Sequence, residues 1–403
     1  MTHAGEDQAN VLSGGPPAPA TSAAPRSTAL RPRDAEDLAQ IVADTAASGQ
    51  VLRIVGGGTW LDAGRPVDPR AIPLDCSGLT GITEYVPGDL TLTARAATSL
   101  ADIAVATAEH RQWLALDPHG SPVGTLGATL ATASRGPLGG SIGLPRDVAL
   151  GLEFVAGNGD RVRGGGRVVK NVAGFDLVRL QVGAWGTLGV ITEATVRLRG
   201  RPEVDRTLAI SLPGQPGAVG AAVSRIGQLG QAPVAAELID ATMARSMGRD
   251  ATPTLLVRFM GNEASVDAQV GRLEGLGDVT IADGVWEALA RHEAAEAMVV
   301  RFPGAPANFE RTWTRACLCA PDGAATLHGT FGSGSVRLVV TATRDRRAAV
   351  LTAALAGGPC LVERAAPRDW LQVPPAATDR LSAGVRRAFD PRGVFNPGIL
   401  GTT

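Results

Sequence analysis

Three consecutive glycines, Gly56, Gly57 and Gly58, follow the apolar run "VLRIV" and precede Thr59 and Trp60. Glycine allows the backbone to turn sharply or to approach a ligand closely. Consecutive small residues can direct several backbone N–H groups at one anion, as a nest does for phosphate. The alternative is a plain glycine turn between two strands, and the loop taken alone leaves both interpretations open.

Two common nucleotide-binding motifs do not fit this loop. A Rossmann fingerprint needs GxGxxG between a strand and a helix, and a P-loop needs a lysine directly after its glycines. Residues 56–61 read GGGTWL and residues 183–189 read GAWGTLG, and no such lysine follows either stretch. The sequence therefore argues against a nicotinamide Rossmann domain and against a P-loop nucleotide site.

Two further glycine-rich stretches, residues 117–140 and 170–194, strengthen the case for a ligand. The first is so rich in small residues that much of its backbone is accessible, which a large, flat ligand lying against backbone would require. The alternative is a tight turn followed by a thin, closely packed helix. The small residues in question are Gly124, Thr125, Gly127, Ala128, Ala131, Thr132, Ala133 and Ser134.

Histidines, the most frequent general bases in enzymes, are scarce in this chain. His119 lies in the first small-residue stretch, where it could touch a ligand, and His328 lies in "LHGTFGSGSVRL". His110 stands at the end of a predicted helix, and His292 stands in a second predicted helix, the charged segment "ARHEAAEA". We expect His110 and His292 to be exposed and to have no chemical role.

Composition excludes several classes of protein. The 38 basic and 39 acidic residues nearly balance, so no strong field attracts nucleic acid or an anionic membrane. Four scattered cysteines predict a reducing, cytoplasmic setting, and Cys317 and Cys319 lack the CxxC spacing of zinc ligands, so no metal site is predicted. Residues 1–28, rich in Ala, Pro and Gly, are expected to form a disordered tail rather than a secretory signal. The sequence contains no run of 18 apolar residues, so it predicts no membrane-spanning helix.

The remaining pattern predicts an α+β protein. Asp34 has the position of a helix N-cap, and a glycine-rich turn at 157–160 predicts a hairpin over residues 149–166. Beyond Pro202 the order strand, helix, strand, strand, helix predicts an antiparallel sheet covered by helices on one face. We place a first domain at residues 29–202, a cap domain at 203–380 and a C-terminal segment at 381–403 that folds back on the first domain.

Together, the three glycine-rich stretches resemble the FAD-binding domain of the vanillyl-alcohol oxidase and p-cresol methylhydroxylase superfamily. The ending "FNPG" at 395–398 matches as well. The resemblance implies a two-part FAD-binding domain, with the pyrophosphate held by the loop at 55–60 and the C-terminus returning toward the flavin. Covalent members carry a histidine in that loop, whereas residues 56–60 have none, so we expect noncovalent FAD. The cofactor contacts that the resemblance implies are Gly56, Gly57, Gly58, Thr59, Trp60, Pro118, His119, Gly124, Thr125, Gly127, Ala128, Thr132, Ser134, Gly186, Thr187, Gly189, Val190, Ile191 and Asn396.

Within the superfamily, the chain is similar to the FAD-binding subunits of bacterial glycolate oxidases. The similarity is carried by "SIGLPRDVALGLEFV" at 141–155, "GGRVVKNVAGFDLVRLQVGAWGTLGVITE" at 165–193 and "VRFPGAPA" at 300–307. Related catalytic subunits have an acidic residue before GTLG, where this chain has Trp185. The resemblance therefore implies an accessory flavoprotein that docks a catalytic flavoprotein subunit and an iron–sulfur subunit, in the cytoplasm or peripheral to the inner membrane through the complex.

Oxidation of a 2-hydroxy acid by flavin needs a base for the hydroxyl proton and a cation, usually arginine, for the carboxylate. Arg301, Arg337 and His328 are the catalytic candidates. Catalytic relatives have a histidine-rich HxGDGNxH-like metal motif near His328, but here Ser335 and Arg337 occupy positions where further ligands would be needed. Three hypotheses stay open: an FAD-binding subunit of a glycolate oxidase complex, a free-standing FAD-dependent 2-hydroxy acid oxidoreductase, and a flavin-free scaffold.

Overall fold

A computed structural model describes residues 29–120, 123–166, 175–215, 217–294, 296–320, 323, 325–375 and 379–401. The tail expected over residues 1–28 and most of the segment "RVVKNVAGF" lie outside these ranges. Within the described ranges, no helix combines the length and the apolar character that crossing a membrane requires.

The first part of the chain consists of a small parallel sheet and a larger antiparallel sheet with short helices around them. Its elements are α1 (Ala35–Ala47), β1 (Leu52–Val55), β2 (Ile72–Asp75), β3 (Ile82–Val86), β4 (Thr91–Arg95), α2 (Leu100–Ala108), β5 (Gln112–Trp113), α3 (Leu126–Thr132), α4 (Pro145–Val148), β6 (Ala149–Val155), β7 (Arg161–Gly165), α5 (Leu177–Gln181), β8 (Val190–Arg197) and β9 (Arg199–Gly200). Strand β1 pairs with β2 in parallel, and a separate antiparallel sheet has the order β3-β4-β8-β6-β7.

The second part of the chain forms one eight-stranded antiparallel sheet. Its elements are β10 (Val204–Ser211), α6 (Ala218–Gly227), β11 (Ala235–Ile239), α7 (Ala241–Ser246), β12 (Thr254–Gly261), α8 (Glu263–Gly271), β13 (Asp278–Ile281), α9 (Val285–Arg291), β14 (Met298–Phe302), α10 (Phe309–Cys319), β15 (Ala325–Thr330), β16 (Ser335–Val340), α11 (Arg344–Ala356), β17 (Leu361–Arg364) and α12 (Arg380–Phe389). The strand order is β13-β10-β12-β11-β15-β16-β14-β17.

Period-two alternation in β10 shows how the large sheet is covered. Leu208 and Ile210 face the main core, which α6, α8, α10 and α11 cover, while Ala209 faces a second cluster built around α7 and α9. Alternate strand residues point to opposite faces, so each face can carry its own apolar cluster. Four helices therefore cover one face, where the sequence predicted a helical layer, and the short helices α7 and α9 pack on the other face.

The C-terminal segment lies against β1, beside the glycine loop. The Leu52 N–H donates to Val394 O, and the Asn396 N–H donates back to Leu52 O. The Asn396 side chain accepts from the Ile54 N–H at 2.8 Å and donates to Trp185 O at 2.9 Å. One asparagine therefore ties the strand before the glycine loop to the loop before β8.

Candidate functional site

The glycine loop is built as an anion cradle. It leaves β1 at Val55, and Gly58 has a φ of +69°, a conformation that glycine adopts without strain. Among the described residues, the backbone N–H groups of Gly57, Gly58, Thr59 and Trp60 donate to no protein acceptor. Free, neighbouring N–H groups on a loop at the mouth of a cavity are what phosphate binding requires.

Helix α3 approaches β4 so closely that only glycine fits at the contact. A Cβ at Gly127 would lie 2.6 Å from the Ala96 Cβ, well inside contact distance. The Thr125 hydroxyl caps this helix by accepting from the Ala128 N–H. The small-residue stretch thus forms a short, thin helix. Because its side chains are small, backbone atoms form part of one wall of the cavity described next.

Most of the cofactor residues implied by the resemblance converge on one cavity of about 150 Å³, which we term the glycine cavity. Gly186 has a φ of +67°, and a Cβ there would lie 2.9 Å from both Asn396 Nδ2 and Ile54 Cδ1. Of the implied cofactor residues, those that line it are Gly56, Gly57, Gly58, Thr59, Trp60, Thr125, Gly127, Ala128, Thr132, Gly186, Gly189, Val190, Ile191 and Asn396.

The other implied cofactor residues divide into two groups. His119 and Ser134 line a second, larger cavity next to the first. Pro118, Gly124 and Thr187 line neither of these two cavities. Thr187 is buried, and its hydroxyl donates to Ala184 O, so its role is to close the turn before β8.

The larger cavity, which we term the central cavity, has a volume of about 590 Å³ and lies between the two parts of the fold. Trp60, Thr132, Trp185 and Ile399 line both cavities, so the two adjoin each other. Trp185 has a φ of +55°, which is strained for a bulky residue. The buried Trp60 Nε1 has no hydrogen-bond partner among the described residues, which leaves a donor at the junction for a ligand.

The central cavity carries an excess of positive charge. Arg65, Arg135, Arg301 and Arg337 line it, and the carboxylate of Glu363 faces them. Two of the three catalytic candidates, Arg301 and Arg337, therefore line this cavity. A cavity with this balance of charges favours an anionic ligand.

His328, the third catalytic candidate, does not line the central cavity. It is 1% exposed, and its Nδ1 lies 2.6 Å from Glu237 Oε1. Burial would lower the pKa of His328, but the carboxylates of Glu237 and Glu293 outweigh burial and raise it. His328 is therefore a buried partner of carboxylates rather than a residue that meets a substrate.

A buried carboxylate that the sequence did not single out organises the wall of the central cavity. The segment "ARHEAAEA" was expected to be an exposed helix, but α9 ends at Arg291 and the Glu293 side chain is fully buried. Glu293 Oε1 accepts from Arg337 Nε at 2.8 Å and from Arg337 Nη2 at 2.6 Å. Burial opposes ionisation, yet Arg337 and the nearby histidines hold the pKa of Glu293 well below its usual range.

His292 was also expected to be exposed, and this expectation was wrong. Its side chain is half-buried, and Nε2 lies 2.7 Å from the Thr326 hydroxyl on β15. The contact holds the end of α9 against the sheet. It places the following residue, Glu293, at the buried side of the central cavity.

His119 is the histidine that faces the central cavity. Burial, and after it the positive charge of Arg337, lower its pKa to about 3. Its imidazole is therefore neutral at physiological pH. Its Nδ1 lies 4.0 Å from Glu293 Oε1, too far for a direct hydrogen bond.

Three ligand-type side chains converge here, where the sequence placed only His328. Ligand atoms of His119, Glu293 and His328 lie within 4.8 Å of one another. However, Arg337 already donates two hydrogen bonds to Glu293 Oε1, so its guanidinium supplies the charge that a cation would supply. A divalent ion at this position would be repelled by Arg337, so the donor set does not fit a metal ion.

The first part of the chain matches a family of known proteins. Residues 27–165 match the model of the family described as FAD binding domain. The chain is 38% identical over 158 residues to glycolate oxidase subunit GlcE of Escherichia coli, covering 39% of this chain and 45% of that protein. It is 35% identical over 181 residues to glycolate oxidase subunit GlcD of Bacillus subtilis, covering 44% of this chain and 38% of that protein. The chain thus spans less than half the length of these two relatives.

Solved structures show the same architecture. A p-cresol methylhydroxylase with substrate bound superposes with a TM-score of 0.75 at 14% identity, covering 93% of this chain and 88% of that one. A 4-ethylphenol oxidase from Gulosibacter chungangensis gives 0.69 at 14% identity, covering 92% and 88%. The α+β prediction of a p-cresol methylhydroxylase-type FAD-binding fold with an antiparallel cap is confirmed, and FAD is the cofactor of this chain.

Proposed function

We propose that the protein is an FAD-dependent oxidoreductase for small 2-hydroxy acids and serves as the FAD-binding subunit of a glycolate oxidase complex. One observation carries the proposal: the glycine cavity adjoins, at Trp60 and Trp185, a central cavity lined by four arginines. A flavin cradle that adjoins a cationic cavity suits the oxidation of a small anion. The similarity to glycolate oxidase subunits supports this substrate class.

The residues of this chain would divide the work between the two cavities. The N–H groups of the glycine loop would hold the pyrophosphate, and the loops around Gly186 and Asn396 would hold the rest of FAD, without a histidine in the loop for covalent attachment. When bound, FAD would supply the acceptor for the hydride of the substrate. The neutral imidazole of His119 would accept a hydrogen bond from the substrate hydroxyl, and the arginines of the central cavity would hold the carboxylate.

We infer that turnover depends on a partner. A metal ion that polarises the substrate contributes roughly several kcal/mol to catalysis. The side chains around Arg337 do not fit such an ion. The chain lacks clustered CxxC ligands, so an iron–sulfur cluster would belong to another subunit. We therefore propose that a catalytic flavoprotein subunit and an iron–sulfur subunit complete the enzyme, in the cytoplasm or at the inner membrane through the complex.

Anaerobic flavin reduction tests the proposal. Glycolate and D-lactate are added to the yellow isolated chain and to the chain co-purified with co-expressed partner subunits. We expect bleaching in the complex and little in the isolated chain. Rapid bleaching of the isolated chain would favour a free-standing oxidoreductase, a colourless protein would favour a scaffold, and no bleaching in either preparation would refute the function.

A further inference from the structure

The four arginines of the central cavity are not equally available to a ligand. Arg337 donates to Glu293 through Nε and Nη2, and its Nη1 donates to Glu363. Arg301 Nε donates to Glu363 Oε1 at 2.5 Å. The Arg337 guanidinium is thus engaged by carboxylates through all three of its nitrogens, and the Arg301 guanidinium through Nε.

Arg65 is also engaged, although without a carboxylate. Its Nη2 donates to Val373 O at 3.1 Å and to Pro374 O, and its guanidinium lies 5.0 Å from the centre of the Trp370 ring. Backbone carbonyls and an aromatic face satisfy its donors and hold it against the segment after β17. A substrate anion would have to compete with these contacts.

Arg135 differs from the other three. It is exposed at the central cavity and makes no hydrogen bond or ion pair within the described part of the chain. Burial and the neighbouring charge of Arg301 lower the pKa of Arg135, which indicates a positive potential that an anion would relieve. No described residue accepts from its five N–H donors, which leaves them available to a ligand.

The backbone that carries Arg135 is fixed from behind. The Asp117 carboxylate accepts from the Gly136 N–H at 3.2 Å and from the Leu138 N–H at 2.7 Å. A Cβ at Gly136 would lie 2.5 Å from Asp117 O, so the chain passes too close for any side chain there. The residue next to Arg135 is thereby clamped, and the arginine projects from a defined position rather than from a loose loop.

We propose that Arg135 is the residue of this chain that binds the substrate carboxylate, and that Arg301 and Arg337 instead shape and neutralise the cavity wall. The inference rests on the proposed function and assigns its anion-binding residue. A planar guanidinium with free donors can hold a carboxylate through two parallel hydrogen bonds, which a lysine cannot reproduce. Arg301, whose charge acts on Arg135, can attract the same carboxylate electrostatically while it keeps its hydrogen bond to Glu363.

The test measures oxalate binding to the FAD-loaded protein through the change in the flavin absorption spectrum, because oxalate has no hydrogen to transfer. Arg135→Gln should weaken oxalate binding roughly 10- to 100-fold, as expected for the loss of charge-assisted hydrogen bonds, without loss of bound FAD. Arg135→Lys should give an intermediate affinity. Arg344→Gln, which removes the same charge from an exposed residue that lines neither cavity, should bind like the wild type.

The outcomes separate this inference from the proposed function. If Arg135→Gln binds oxalate with wild-type affinity, or loses FAD, the assignment of Arg135 is overturned. The proposed function still stands in that case if 2-hydroxy acids reduce the flavin of the complex. Arg135-dependent oxalate binding supports the assignment. If no 2-hydroxy acid then reduces the flavin, the site binds carboxylates and the proposed reaction is the part that fails.

Discussion

Replacement of Arg337 by methionine tests whether its role is structural. The side chain of Glu293 is fully buried, and both hydrogen bonds to its Oε1 come from Arg337. Without them, Arg364 Nη1 at 3.8 Å and His328 Nε2 at 4.0 Å are the nearest cations. Breaking a buried ion pair by removing one partner costs about 3–5 kcal/mol, so Arg337→Met should lose a large part of a total stability of about 5–15 kcal/mol.

The assay is urea unfolding at a fixed FAD concentration, because bound cofactor itself adds stability. Arg258→Met is the matched control: Arg258 bonds Asp205 through Nε at 2.8 Å and Nη2 at 2.6 Å, but this pair is partly exposed. Exposed pairs contribute about 1 kcal/mol or less. The reasoning is refuted if Arg337→Met loses no more stability than Arg258→Met.

The pH dependence gives an independent check on the same variant. In the wild type, Arg337 holds the pKa of Glu293 well below its usual range, with burial acting against it. In Arg337→Met the strongest influence that lowers this pKa is removed, and burial is then opposed mainly by His328, so the pKa of Glu293 should rise. The folded variant then takes up a proton as the pH falls toward 5, and its deficit relative to the wild type should shrink.

Three further predictions concern the cofactor and His119. Gly57→Glu should abolish FAD retention, because the new carboxylate would meet the pyrophosphate. The control Gly214→Glu, on open surface, should retain FAD. Normal flavin content in Gly57→Glu would contradict the assignment of the phosphate loop. Acid or heat denaturation should release soluble flavin, and fluorescence that stays with the polypeptide in a denaturing gel would contradict noncovalent binding. The pKa of His119 is about 3 in the folded protein and about 6.5 in the unfolded chain, so stability is lost as the pH falls below 6.5. His119→Asn should therefore reduce the stability lost between pH 7 and pH 5 by about 2 kcal/mol. An unchanged pH dependence in urea unfolding would remove His119 from this account.

The cofactor half of the site could be predicted from sequence because local backbone rules govern it. Glycines at positions 56–58, 127 and 186 mark where the chain turns or where backbones touch, and such constraints are visible in the residue type. The order of the three stretches then carried the resemblance to a flavin-binding fold. Pro118, Gly124 and Thr187 show the limit of this approach, because they share the segments but line neither cavity.

The charged half could not be predicted, because long-range pairing decides it. Glu293 follows a helix rich in charge, and its local sequence is typical of an exposed face. Its burial depends on Arg337, 44 positions later, and on the way β16 places that arginine beside α9. Arg301 and Arg337 had the residue type that binds carboxylates, but the sequence does not show that Glu293 and Glu363 already occupy them.

The buried carboxylates set what the central cavity can bind. A ligand that took Arg337 from Glu293 would leave a buried charge unpaired, at a cost of about 3–5 kcal/mol, so only an uncommitted cation can bind an anion without this loss. A divalent ion meets the opposite obstacle, since Arg337 already donates two hydrogen bonds to Glu293 Oε1 and its charge would repel the ion. The wall therefore favours one small anion held beside the flavin cradle and disfavours a metal that would activate it. A chain with this wall can bind flavin and carboxylate by itself, and we expect it to need a partner subunit for rapid turnover.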